Sequence, residues 1–170
     1  MKRELKVTEQ REESTSFFDE PVIPQASQDL QRLRAEPGYS PPFEVLRWRV
    51  VDEVRTGVVT IDAIVVIRVE KKEDLEAAQG VGGINALDLA LRKALIKRFP
   101  FLADVRVVES YTHGSGEGAG AEVISAKKFS DGKRWWTTMR RSRDIVESGW
   151  LALVDGYEWA VLAKTKGSTR

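Results

Sequence analysis

The 170-residue chain contains no cysteine and only one histidine, His113. The first absence excludes a disulfide framework, a thiol nucleophile and a thiolate metal site. The second leaves little from which to build a metal centre, and His113 has no Ser or Asp partner in a nucleophile motif, so a structural or solvent-exposed role is its ordinary reading. A phosphate-binding P-loop, a dinucleotide fingerprint on a parallel strand unit and metal-ligand spacings are also missing. No catalytic residue, metal or cofactor is therefore assigned. Charge of one sign is not in excess either: 27 basic residues face 26 acidic ones, a formal net charge of +1. The molecule as a whole has no electrostatic claim on a polyanion. No apolar run approaches the ~18 residues of a membrane span. The first thirty residues are too polar and acidic for a signal peptide, which leaves the cytoplasm as the expected compartment.

The length supports one domain of about 130 residues with a tail. Residues 1–42 form a regime of their own, charged at first and then carrying five of the six prolines. Their composition predicts a flexible tail or linker. A short helix over Gln28–Ala35, capped by Ser27, is conceivable, but Leu30 and Leu33 are its only large apolar residues.

The rest is organised around Gly80-Val81-Gly82-Gly83, which opens into an amphipathic helix from Ile84 to Leu95. Ile84, Leu87, Leu91 and Leu95 share one face, Lys97 and Arg98 lie at the negative end of the dipole, and Pro100 ends the run. The glycines leave backbone N–H groups free at the positive end, where a carboxylate or phosphate can sit; they can equally serve a tight strand-to-helix turn.

The same grammar recurs about sixty residues later. In the first unit, Phe43–Val51 reads as a strand and Val58–Glu70 as a half-buried antiparallel strand, with Ile64 and Val66 interrupting its polar face. Leu75–Gln79 reads as a short third strand. In the second unit, Asp104–His113 is a strand, Gly114–Gly120 a flexible loop and Ala121–Phe129 a long strand. Asp131-Gly132 is a hairpin signal, Lys133–Met139 the third strand, and about Asp144–Leu162 the last helix, with Ser142 or Asp144 as its cap. That helix carries a stripe of small residues, Ser148, Ala152, Gly156 and Ala160, suited to close approach by its own sheet or by another subunit. Its two glycines each cost about 1 kcal/mol relative to alanine. The expected class is α+β: two βββα units related by an internal pseudo-twofold, 43–102 and 103–162, followed by a C-terminal tail over 163–170.

A basic cluster, Lys127, Lys128, Lys133, Arg134, Arg140, Arg141 and Arg143, surrounds Trp135 and Trp136. Such interleaving serves single-stranded nucleic acid binding, and equally marks a solvated hairpin face. Arg140, Arg141 and Arg143 precede a helix N-terminus, where an anion or a protein partner could be met.

Several blocks, in order, carry a resemblance: Gly80–Leu87, Ala90–Leu95, Asp104–Glu109, Gly118–Ala121, Ser130–Gly132 with Trp136-Thr137, and Asp144–Asp155. Residues 43–162 resemble the C-terminal regulatory (allosteric, dimerisation) domain of 2-isopropylmalate synthases and citramalate synthases. The resemblance implies two βββα units about a pseudo-twofold. It also implies a homodimer that binds leucine or isoleucine between the units and so lowers the activity of a catalytic barrel. That barrel is not in this sequence, so the chain is read not as an enzyme but as a stand-alone module acting on a separate synthase. By position, the effector loop falls on Gly80, Gly82, Gly83, Ile84 and Asn85, and the pocket wall on Val107, Ser110, Tyr111, Ala119 and Ala121. Gly83 stands where the family usually has proline, and Ser110 where an aromatic often lines the pocket. Met139-Arg140-Arg141-Ser142-Arg143 replaces a glycine-rich stretch. The alternatives are a dimerisation scaffold without ligand and an anion or nucleic-acid module using 127–143.

Overall fold

A computed structural model describes residues 22–115 and 121–167. Helix α1 (Gln25–Ala35) leads into strands β1 (Glu44–Arg55), β2 (Val58–Val69) and β3 (Lys72–Gly80) and helix α2 (Gly83–Ile96). A 3-10 turn at Pro100–Asp104 connects to β4 (Arg106–Ser115), β5 (Glu122–Ser130), β6 (Trp135–Ser142) and helix α3 (Ile145–Gly167). The strands form two antiparallel sheets, β1-β2-β3 and β4-β5-β6. The fold is α+β, built from two βββα units preceded by a helix.

The duplication is visible in the register. Val45 pairs with Ile67 and Val107 with Phe129; Arg47 pairs with Val66 and Glu109 with Lys128, so each second pair lies 62 residues beyond the first. The register shifts at the same place in both, leaving Leu46 and Val108 as the extra residues of a bulge. The helices keep the same offset, since Ala86 N–H donates to Gly82 O and Ser148 N–H to Asp144 O.

Alternation decides which face is covered. Ala63, Val65 and Ile67 of β2 turn inward onto Leu87, Leu91 and Leu95 of α2, and Phe129 of β5 and Trp136 of β6 turn inward onto Leu153 and Tyr157 of α3. All of these belong to one continuous core that crosses from unit to unit. The small-residue stripe of α3 packs on its own sheet. A Cβ on Gly156 would lie 2.0 Å from the Phe129 ring, Trp136 Nε1–H donates to Gly156 O at 3.0 Å, and the Thr138 hydroxyl donates to Ala152 O at 2.6 Å. The two glycines thus trade helix propensity for backbone contact with sheet and neighbour.

The reading of 1–42 as a tail changes from residue 25 onward; residues 1–21 lie outside the described ones. Helix α1 begins earlier than expected, at Gln25, so Ser27 does not cap it. Instead the Ser27 hydroxyl accepts from Met139 N–H at 2.9 Å, which closes the free edge of β6. Leu30 is fully buried, and the Arg34 guanidinium donates to Asp155 at 2.7 Å and Glu158 at 2.6 Å on α3. The partners of this helix are more than a hundred residues away, which is why its composition resembles a linker. At the other end α3 continues through the expected tail to Gly167.

Two strands run differently from expectation. β3 starts at Lys72, because Glu70 (φ 55°) and Lys71 suffice for the turn and its charged residues find partners: Glu73 receives Arg68, and Asp74 receives Arg98. β6 starts only at Trp135, because the Asp131 carboxylate accepts the N–H groups of Lys133 and Arg134 and holds both in the turn.

Two substitutions test this packing by urea denaturation. Leu30→Ala should cost about 2–5 kcal/mol, as for a core leucine, whereas a residue of a solvated tail would cost almost nothing. Gly156→Ala should cost about 1–3 kcal/mol despite alanine's higher helix propensity, because the methyl group has no room against Phe129.

Candidate functional site

The expected loop lies where β3 passes into α2. Gly80 must be glycine, because a Cβ there would stand 2.5 Å from Ala86 N; Gly82 has open space and Gly83 ordinary contact with Val50. The Asn85 carboxamide oxygen accepts from Val81 N–H at 3.1 Å and braces the turn. Gly82 is the N-cap and supplies no side-chain acceptor, so the first turn of α2 ends in backbone donors only.

Ile84, at the start of α2, reaches the other unit. A Cβ on Gly149 of α3 would lie 2.8 Å from Ile84 Cδ1 and 3.7 Å from Lys127 Nζ, so the absent side chain lets the two units close at this point. Lys127 is on the helix-facing side of β5, only 2% exposed. Its ammonium donates to Ser110 Oγ on β4, and Ser110 is exposed on the outer strand of the sheet. Asp88, one turn beyond Ile84, accepts from the Tyr157 hydroxyl at 2.5 Å. Burial pushes the Asp88 carboxyl up, opposed by the Tyr157 hydrogen bond and by the charges of Arg92 and Lys127. Burial also holds the Lys127 ammonium below its usual pKa, and the Asp88 charge only partly offsets this. Tyr157 is driven well above its usual value by burial and by Asp88.

The pseudo-twofold puts this cluster in context. The 62-residue offset relates Lys127 to Val65 and Ser110 to Trp48, paired neighbours in the first sheet. Trp48 crosses to the second unit and packs on Trp150 of α3, ring centroids 5.8 Å apart. The same offset relates Trp150 to Asp88. The two equivalent contacts between units therefore differ: one is filled by two indoles, and the other holds Lys127, Ser110 and Asp88. Lys127 was expected on the basic hairpin, and its place in this contact was not read from the sequence. The signal available was a lysine at the position occupied by core Val65 in the first repeat.

The remaining expected residues divide. Val107 flanks the core on the same face as Phe129. Tyr111 falls on the opposite face of β4 from Ser110, with its hydroxyl on Glu109, so the structure does not bring it together with the loop. Ala121 lies just before β5, half-buried, and Ala119 lies outside the described residues. Arg140 and Arg141 fall on opposite faces of β6, and Arg143 is exposed in the bend before α3. Arg140 is held by Asp155 at 2.6 Å, and the N-terminus of α3 already has its anion, the Asp144 carboxylate accepting from Glu147 N–H at 2.7 Å. Elsewhere on the basic hairpin Lys128 pairs with Glu109 and lies over Trp135, Arg134 pairs with Asp131, Trp136 is buried, and Lys133 is exposed. His113 is on exposed β4. Among the described residues no group of three His, Asp or Glu side chains is placed to hold a metal, and no helix is long and apolar enough to cross a membrane.

Residues 26–161, which include α1 and both units, match the LeuA allosteric (dimerisation) domain. The chain belongs to that family. Three relatives, each an (R)-citramalate synthase, carry the likeness further. That of Geobacter sulfurreducens is 32% identical over 139 residues, 79% of this chain and 26% of the relative. That of Synechocystis is 36% identical over 109 residues, 63% of this chain and 20% of the relative. That of Aquifex aeolicus is 33% identical over 122 residues, 71% of this chain and 23% of the relative. The LeuA-type domain described here thus spans about a fifth to a quarter of the length of the relatives it matches.

The buried cation gives a test of the site's electrostatics. Because the folded pKa of Lys127 is below its unfolded value of 10.5, its charge opposes folding at neutral pH, and the penalty is relieved as pH rises through the folded value. Lys127→Met should therefore be at least as stable as the parent at pH 7, with an advantage in Tm that shrinks as pH is raised toward 10; thermal unfolding across pH 7–10 reads both.

Proposed function

We propose that this domain is a regulatory and dimerisation module that binds a small amino-acid effector between its two units and modulates a synthase of amino-acid biosynthesis carried by a separate chain. The observation that carries the reading is the inequality of the two pseudo-equivalent contacts. One is plugged by Trp48 and Trp150. The other lies under a helix N-terminus without a side-chain cap and is lined by Ile84 and by polar groups. An amino acid needs both features: donors for its carboxylate and an apolar surface for its side chain. Leucine and isoleucine, with branched apolar side chains, are the first candidates for the Ile84 and Val107 side.

The first sheet is covered by its helix on one face only, which supports a homodimer. Ile64 and Val66 lie half-buried on its other face beside Leu75, which is exposed, whereas on the corresponding face of the second sheet Ile124, Ala126 and Met139 are already buried and only Tyr111 and Trp135 stand exposed beside them. Apolar surface of this kind marks association. A second reading, a dimerisation scaffold without an effector, is favoured by one specific feature: Ile84 already packs on Gly149 and closes the contact between the units.

Light scattering should give twice the chain mass. Thermal unfolding with leucine, isoleucine, valine and other amino acids separates the two readings. An effector at about 100 times its Kd adds about 2.7 kcal/mol to stability, and the scaffold responds to none. Ile84→Asp should abolish the ligand-induced rise while the fold persists, since the new carboxylate lies beside the Lys127 ammonium.

A further inference from the structure

We propose that Lys127 is the anchor for the effector's carboxylate in the contact between the units, with Ser110 holding its ammonium in place until the ligand arrives. The proposal rests on the reading of that contact as the effector site and adds a charged residue that recognises the ligand.

The ammonium is almost wholly buried and has three N–H donors. Among the described residues it meets one acceptor, the neutral hydroxyl of Ser110, and no carboxylate within ion-pair distance. Asp88 is close enough to act on Lys127 through space, but it already accepts the Tyr157 hydroxyl. Arg92, one turn further along α2, brings a second cation toward Asp88 and Tyr157, and its Nε is a buried donor without a hydrogen-bond partner. Two cations therefore surround a single carboxylate, and two kinds of buried donor remain under-used. A buried charge is tolerated when it is paired and hydrogen-bonded, and one small carboxylate would supply both the missing charge and the missing acceptors.

Packing does not demand a lysine here. The equivalent position in the first unit is Val65, which fills the core with no polar atom. Its one partner, Ser110, is exposed on the outer strand β4, so the ammonium lies one side chain below the surface. With an excess of one positive charge, the site suits a monocarboxylate better than a polyphosphate.

Isothermal titration of the whole chain with leucine, isoleucine and valine, and with the corresponding amino-acid amides, tests this in the parent and in Lys127→Met. A charge-assisted hydrogen bond to the carboxylate predicts that the parent binds its preferred amino acid at least about tenfold more tightly than the amide. Lys127→Met should bring acid and amide to near equality, with its thermal transition intact as the check on folding. Equal affinity for acid and amide in the parent, or an undiminished preference for the acid in Lys127→Met, would overturn the anchoring role while leaving the site between the units standing. Failure of every amino acid to bind the parent would overturn both.

Discussion

Neither βββα unit can bury its own apolar surface, and the rest of the structure follows from that constraint. A three-stranded sheet with one covering helix is close to the lower limit for independent stability. Here the helices meet across a pseudo-twofold, so that Leu87 and Leu91 of one unit and Leu153 and Tyr157 of the other belong to a single core. The contact is kept close by omission of side chains. Gly149 admits Ile84 from the opposite unit, and Gly156 admits the Phe129 ring from its own sheet. A helix with two interior glycines is a weak helix in isolation; in this fold its backbone is the surface against which the second unit is assembled.

A duplicated fold makes each contact between its halves twice, and divergence can then assign the copies different tasks. The Trp48–Trp150 copy is a large aromatic contact of the kind that fixes relative orientation. The Lys127–Ser110–Asp88 copy places a cation where its counterpart has a valine. Buried ionic groups are poor contributors to stability compared with apolar residues of the same volume, so this copy carries a penalty that the other shows to be unnecessary for folding. Inequality between two sites built on one template directs attention to the polar one.

Much of this was legible in the chain. The long strand of unit one, the glycine turn into α2, the Asp131-Gly132 hairpin and the sixty-residue repeat are local patterns, and the structure has each of them. The resemblance of residues 43–162 to the regulatory domain of 2-isopropylmalate and citramalate synthases led to the family that residues 26–161 match. What was not legible is long-range. Helix α1 has one fully buried leucine, and its other anchors are a hydroxyl on a strand edge and an arginine on two carboxylates of α3; nothing within residues 25–35 reveals those partners. Lys127 was counted with the cations of a solvated hairpin, although alternation from Phe129 places it on the inward face. The resemblance puts both Ser110 and Tyr111 on the pocket wall by position, but adjacent residues of a strand put their side chains on opposite faces.

The position of the cation also bears on how such a module could transmit a signal. A ligand shifts a conformational equilibrium only by its difference in affinity for the two states. Lys127 Nζ, Ile84 and the backbone of Gly149 meet at one point, and that point lies on the seam between α2 and α3. A group that pairs with the ammonium must act on the same few atoms that set how closely the two units approach. Each helix is the cover of one sheet, so a change at the seam is carried to the sheets beneath. A coupling of about 1–3 kcal/mol is enough for useful regulation, comparable to the effect of pairing or unpairing one buried charge. On the proposed reading, the residue that recognises the ligand and the contact that changes when it is recognised are the same part of the fold, and no longer pathway through the domain is required.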